Sequence, residues 1–134
     1  LGEHGLNQFL TQSEIVICLL PLTKKTKNIL NEENLKKLPT GSFVINGARG
    51  GHIDESDLLK LLNEGHIAGA ALDVFEKEPL PKENLLWSHP KVTVTPHVAA
   101  LVNLESAAKV ISETIYSCRN GRPLQNVVDP FEGY

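Results

Sequence analysis

Four short apolar runs, three of them closed by a proline or glycine and most of them separated by polar, helix-capable stretches, constrain the fold of this chain most. The first spans Ser13 to Leu20 and stops at Pro21. The second, Ser42 to Asn46, runs into Gly47. The third, Ile67 to Val74, contains the small residues Ala68-Gly69-Ala70-Ala71, which let another group pack closely. The fourth, Val92 to Thr95, is closed by Pro96. Short continuous apolar runs of this kind read as buried strands, and the first reads as buried on both faces. Asn31 predicts the cap of a helix over Glu32 to Leu38, with Glu32 and Glu33 in its first turn, Lys36 and Lys37 near its end and Pro39-Thr40-Gly41 as its stop. Asp54 predicts the cap of a second helix from Glu55 to Asn63, ended by Gly65, with Leu58, Leu59, Leu61 and Leu62 as a wide apolar face. A last helix is expected from Leu104 to Arg119, with Ala107, Ala108, Val110, Ile111 and Ile115 inward, followed by an irregular tail from Gly121. Alternating strands and helices imply βαβ units, hence an α/β chain with a mostly parallel sheet. The long proline-containing stretch from Glu76 to Pro90 is the exception. Loops of that length are usually functional or covered by a partner.

At 134 residues the chain has the length of one domain and could bury roughly two thirds of its unfolded surface. A composition 41% hydrophobic and 22% charged is that of an ordinary globular protein. The net charge of -3 argues against a nucleic-acid or anionic-membrane partner. No apolar run is long enough to cross a bilayer, and no secretory signal is visible, so a cytoplasmic setting is expected. Cys18 and Cys118 lack CxxC spacing and read as two buried thiols. His4, His52, His66 and His89 read as surface residues, and no histidine pair has metal-ligand spacing, so no metal is expected. The chain starts at Leu1, contains no methionine and has no Gly-x-Gly-x-x-Gly turn. The expectation is a fragment, a processed product or a partial record.

Three strand ends carry chemistry. Arg49 sits in Asn46-Gly47-Ala48-Arg49-Gly50-Gly51, where glycines permit close backbone approach and the guanidinium offers a planar fork for a carboxylate. A turn with a solvated arginine explains the same residues equally well. Glu78, in Asp73-Val74-Phe75-Glu76-Lys77-Glu78-Pro79, reads on local grounds as a solvated loop carboxylate. Asp73, closing its strand, reads as a cap for the next turn or as an acceptor for a ligand amide. His97 follows Pro96, whose fixed φ aims the imidazole, although one hydrogen bond in a loop would also account for it. Asn84-Leu85-Leu86-Trp87 offers apolar cover nearby, or simply anchors the loop. A cation, an anion and a titratable ring at the ends of successive strands are suited to binding an anionic substrate and passing it a proton.

As an ordered set these motifs resemble the D-isomer-specific 2-hydroxyacid dehydrogenases. The likeness runs through Leu19-Leu20-Pro21-Leu22-Thr23, Asn46 to Gly51, Asp73 to Leu80 and Thr95 to Ala100. Leu85-Leu86-Trp87-Ser88-His89-Pro90 and the ending Gly133-Tyr134 look most like the glyoxylate/hydroxypyruvate reductase A branch. The resemblance implies the second half of a Rossmann-like, doubly wound, mostly parallel sheet with flanking helices. Residues 1–120 would be the C-terminal half of a dinucleotide-binding domain without its phosphate loop, and 121–134 a return segment toward a substrate domain. It implies that the intact enzyme, expected as a homodimer, reduces a small 2-oxo acid with NAD or NADP. The isolated chain would be inactive. His97 would act as general acid, Glu78 would pair with it and fix its ring, and Arg49 would hold the substrate carboxylate. Pro21, Gly47, Ala48, Arg49, Asp73, His97 and Ala99 would line the cofactor, Asp73 at the nicotinamide amide. Two alternatives stay open: another dehydrogenase of the family, such as one acting on phosphoglycerate, and a non-catalytic nucleotide-binding or regulatory module. An apolar edge at Ile15 to Leu20 is expected to invite self-association.

Overall fold

The computed structural model describes residues 3–100, 102–129 and 131. The side chain of His4, and the Gly133-Tyr134 ending, lie outside what is described. Two compact units divide between Ala99 and Ala100.

The first unit carries α1 (Glu3–Thr11), β1 (Ile15–Cys18), α2 (Glu32–Leu35), β2 (Ser42–Asn46), α3 (Glu55–Glu64), β3 (Ile67–Leu72) and β4 (Val92–Val94). The four strands form one sheet in the order β1-β2-β3-β4, and every pair is parallel. Parallel order puts all four C-terminal strand ends on one edge of the sheet. The segments that follow them start from that edge, where open α/β sheets build their sites.

Local chemistry explains the helix ends. The Asn31 side chain accepts from Asn34 N at 3.0 Å, and Asp54 accepts from Ser56 N and Asp57 N. Each cap contributes about 1 kcal/mol. Gly65 closes α3 at φ 77, a left-handed position that suits glycine. α2 ends at Leu35, earlier than predicted, because the chain tightens into short turns at Lys37 and Leu38 before Pro39. Proline disfavours a helical residue before it. Leu58, Leu61 and Leu62 of α3 and Leu35 of α2 are fully buried beside Val44 and Ile67. Burying each such side chain is worth about 1.5–3 kcal/mol. α1, which the sequence did not announce, joins this core through Leu10, fully buried, and Leu6 one turn earlier.

The sheet differs from expectation on one face. β1 alternates: Val16 and Cys18 are buried, whereas Ile15 and Ile17 are more than half exposed. In β2, Val44 and Asn46 are buried while Phe43 is 48% exposed. The expectation of a first strand buried on both faces is therefore corrected. A continuous apolar run cannot say which of its faces will find a cover. The small residues of β3 do admit a close neighbour, since the Phe43 ring lies over Gly69.

The second unit is α4 (Leu104–Arg119) and a tail without regular structure. Asn103 caps the helix through Ser106 N at 3.0 Å, and Arg122 stacks over the Tyr116 ring. The helix bounds match the sequence pattern, but no α4 residue is buried. Val110, Ile111 and Ile115 are about half exposed, and Ala107 is only partly covered. The inward face predicted for this helix is corrected, because apolar spacing alone does not decide whether a face finds a cover. Cys118 is likewise exposed and free, and only Cys18 is a buried thiol. Burial pushes the Cys18 thiol up.

Candidate active site

β2 ends at Asn46, and the Arg49 loop is built on that side chain. Asn46 is 1% exposed. Its Oδ1 accepts from Ala48 N at 3.1 Å and its Nδ2 donates to Arg49 O at 2.9 Å. The Arg49 carbonyl also receives His52 N at 3.2 Å. Arg49 itself is exposed, and its Nη1 donates to Ala48 O at 2.7 Å. Gly50, the next residue, is pressed against another loop: a Cβ there would fall inside the backbone of Phe75 and Glu76. Only glycine allows the two loops this approach.

The neighbouring loop leaves β3 at Leu72. In it, Glu78 turns back so that Oε1 accepts Phe75 N at 3.0 Å. Its Oε2 lies 2.7 Å from His97 Nδ1. The Phe75 N–H first, then the His97 ring and more weakly the Arg49 charge, hold the Glu78 carboxyl below its usual range. The Arg49 field thus reaches the pair. The Glu78–Pro79 peptide is cis.

His97 owes its place to Asp73. Thr95 Oγ1 donates to Asp73 Oδ1 at 2.5 Å, Val98 N to the same oxygen at 2.9 Å, and Ala99 N to Oδ2 at 2.9 Å. His97 N adds a bond to Asp73 O at 2.9 Å. Burial pushes the Asp73 carboxyl up, but these donors together with the His97 charge outweigh it and hold it low. The wrapped loop forces His97 to φ 54, a left-handed conformation costing about 1–3 kcal/mol in a non-glycine residue. The hydrogen bonds to a charged acceptor offset that cost. With Glu78 at Nδ1, the half-exposed ring presents Nε2, which no group among the described residues engages.

The remaining sequence-chosen positions fall around this group. A Cβ on Gly47 would sit 3.7 Å from both Ala99 Cβ and Leu19 Cδ2, so small residues from two strand ends, Gly47 and Ala99, meet beside Leu19. Ala48 is buried. Pro21 is exposed, and its carbonyl accepts Thr26 Oγ1 at 2.7 Å. A cleft of about 500 Å³ beside Glu78 and His97 is lined by Phe75, Leu80, Trp87 and Val94. Leu86, fully buried, anchors this stretch, and Trp87 Nε1 donates to Pro81 O. Asn46, Thr95 and His52 were not chosen from sequence. His52 was read as a surface residue and is fully buried, with Nδ1 3.0 Å from Arg49 O and Nε2 3.3 Å from Pro21 O. Its place three residues after Arg49, on the same tight turn, was the signal available. His66 is partly buried, with Nε2 at 3.2 Å from Leu35 O.

A parallel sheet with a histidine–carboxylate pair at its C-terminal edge defines a Rossmann-like domain. The chain belongs to the D-isomer specific 2-hydroxyacid dehydrogenases, NAD binding domain, whose family model matches residues 2–99. It is 46% identical over its full length to a "Glyoxylate/hydroxypyruvate reductase A" of Salmonella newport, of which it spans 43%. It also superposes on a D-isomer specific 2-hydroxyacid dehydrogenase from Xanthobacter autotrophicus Py2 in complex with NADPH and MES. There the TM-score is 0.96 and the identity 47%, covering 99% of this chain and 55% of the other. An NADPH-dependent glyoxylate/hydroxypyruvate reductase from Sinorhizobium meliloti, in complex with NADP and sulfate, gives a TM-score of 0.94 at 39% identity, covering 98% and 43%. The chain thus spans less than half the length of the curated relatives it matches.

Proposed function

We propose that this chain carries the proton-donating and carboxylate-binding groups of an NAD(P)-dependent reductase that converts a small 2-oxo acid, of the glyoxylate or hydroxypyruvate type, to the D-2-hydroxy acid. The observation that carries the reading is the 2.7 Å contact between Glu78 and His97 Nδ1, which leaves Nε2 facing out. Glu78 fixes the ring, and Nε2 gives its proton to the carbonyl oxygen as that oxygen gains charge. Arg49 holds the substrate carboxylate and polarises the carbonyl. The nicotinamide cofactor supplies the hydride. Gly47, Ala48 and Ala99 leave room for its ring, with Pro21 beside them. Asp73 Oδ2 accepts one N–H and keeps a lone pair for a carboxamide.

Residues 1–120 serve, in this reading, as the second half of the dinucleotide-binding domain, and 121–134 as the return toward a substrate domain. The proposed setting is cytoplasmic and the proposed assembly of the whole protein a homodimer, with no nucleic-acid or membrane partner. No helix among the described residues is long and apolar enough to cross a membrane.

The test is NAD(P)H oxidation by the intact protein with glyoxylate, hydroxypyruvate and phosphohydroxypyruvate. Turnover with the first two, lost by about 10³-fold in His97→Ala, is expected. Preference for the phosphorylated acid would move the protein to another branch of the family. Undiminished turnover in His97→Ala, or none in the wild type, would overturn the reading. Residues 1–134 alone are expected to show none.

A further inference from the structure

His52 is fully buried, and the chemistry proposed above does not use it. Its ring lies between two carbonyls from different strand ends. Nδ1 is 3.0 Å from Arg49 O, and Nε2 is 3.3 Å from Pro21 O. The segments bearing those carbonyls are stitched together around it. Asn28 N donates to Gly51 O at 2.8 Å, Leu30 N to His52 O at 2.9 Å, and Leu30 bridges Ile53. His52 therefore sits at the seam between the segment that carries Pro21 and the loop that carries Arg49.

We propose that His52 is a positioning residue for Arg49: its ring fixes the Arg49 carbonyl from below, and so sets where the guanidinium meets the substrate carboxylate. The shorter of its two contacts is the one to Arg49. That carbonyl gathers three donors, Asn46 Nδ2, His52 N and His52 Nδ1. Only the last is a side chain lying beyond the arginine, so it closes the loop from the far side. A ring with its proton on Nδ1 bonds Arg49, whereas the second nitrogen bonds Pro21 only if it too carries a proton. Among the described residues, the partners of the ring within hydrogen-bonding distance are these two carbonyls.

The proposal rests on Arg49 as the carboxylate anchor, and two isosteric variants of the intact protein test it. His52→Asn places an amide N–H near the Nδ1 position and keeps the Arg49 bond. His52→Gln places one near Nε2 and gives that bond up. His52→Gln is expected to raise KM for the 2-oxo acid about five-fold, the loss of one hydrogen bond, and to leave KM for the cofactor within about two-fold. His52→Asn is expected to return the acid KM to within about two-fold of wild type. Amide exchange should accelerate over residues 47–53 in His52→Gln and not in His52→Asn. Equal KM changes in the two variants, or a fall in Tm in both with neither KM altered, would overturn the proposal and leave His52 a core residue. A wild type with no 2-oxo acid turnover would instead sink the functional reading, while the exchange comparison would still judge the hold on Arg49.

Discussion

The loop that carries Arg49 and the loop that carries His97 leave the same sheet edge from β2 and β4, with β3 between them, yet they are held by opposite means. The Arg49 loop is fixed by fit and by hydrogen bonds to one carbonyl: Gly50 against the Phe75 backbone, and Asn46 and His52 on Arg49 O. The His97 loop is wrapped on a single carboxylate, Asp73, and keeps its histidine in a left-handed conformation. Steric fit is indifferent to pH, whereas charge-assisted bonds disappear when the acceptor is protonated. The two halves of the site should therefore fail under different insults.

The sharpest blow to the first loop is Gly50→Ala. Its methyl group has no space, so about 3 kcal/mol of stability should be lost in denaturant melts of the intact protein, and Glu78 should move with Arg49. A loss below about 1 kcal/mol would show that the loops part easily. Asp73→Asn is the matching blow to the second loop. It replaces an acceptor of three donors by an amide with one oxygen, and should cost about 2 kcal/mol and loosen residues 95–99 ahead of 47–53. Glu78→Gln, which keeps shape and removes charge, should lower kcat/KM by about ten-fold, near 1.4 kcal/mol, with a smaller change in Tm. Gly47→Ala should be nearly silent in stability, within about 0.5 kcal/mol, because its Cβ meets only ordinary contacts. Its effect should fall on the KM for the cofactor. Two glycines three positions apart would then separate packing from ligand room.

Acid separates the loops without mutation. Asp73 and Glu78 both ionise below the usual carboxyl range in the folded protein. Their stabilising bonds are complete above the unfolded carboxyl range, near pH 4, and are lost as pH falls through the lowered folded values. Amide exchange followed from pH 6 downward should open residues 95–99 before 47–53, and in Asp73→Asn, where 95–99 is already loose, that opening should no longer depend on the titration of this carboxylate. Simultaneous opening would erase the distinction between the loops.

Much of the fold was legible because its signals are local. Asn31, Asp54 and Gly65 act on backbone groups a few positions away, and the strand runs stop at their own prolines and glycines. What depends on distant partners was not legible. The same apolar run serves a strand covered on one face or on both, and the spacing of Val110, Ile111 and Ile115 does not reveal whether anything covers them. At the site, Arg49, Glu78 and His97 stood out through residue type and position at strand ends. Asn46 and His52 did not, since a buried polar side chain is recognised only when its partners are known. Asp73 was read for a ligand, and its first task in the structure is to shape the loop that aims His97.

The contact between Gly50 and Phe75 has one more consequence. Because backbone rests on backbone there, with no side chain between to be trimmed or repacked, the loops that carry Arg49 and Glu78 form one inelastic piece. Insertions or bulkier residues in either loop displace both functions together. If the proposed 2-oxo acid reading holds, a protein engineer has more freedom at the exposed edge of the cleft, where Trp87 can change size and leave that piece undisturbed.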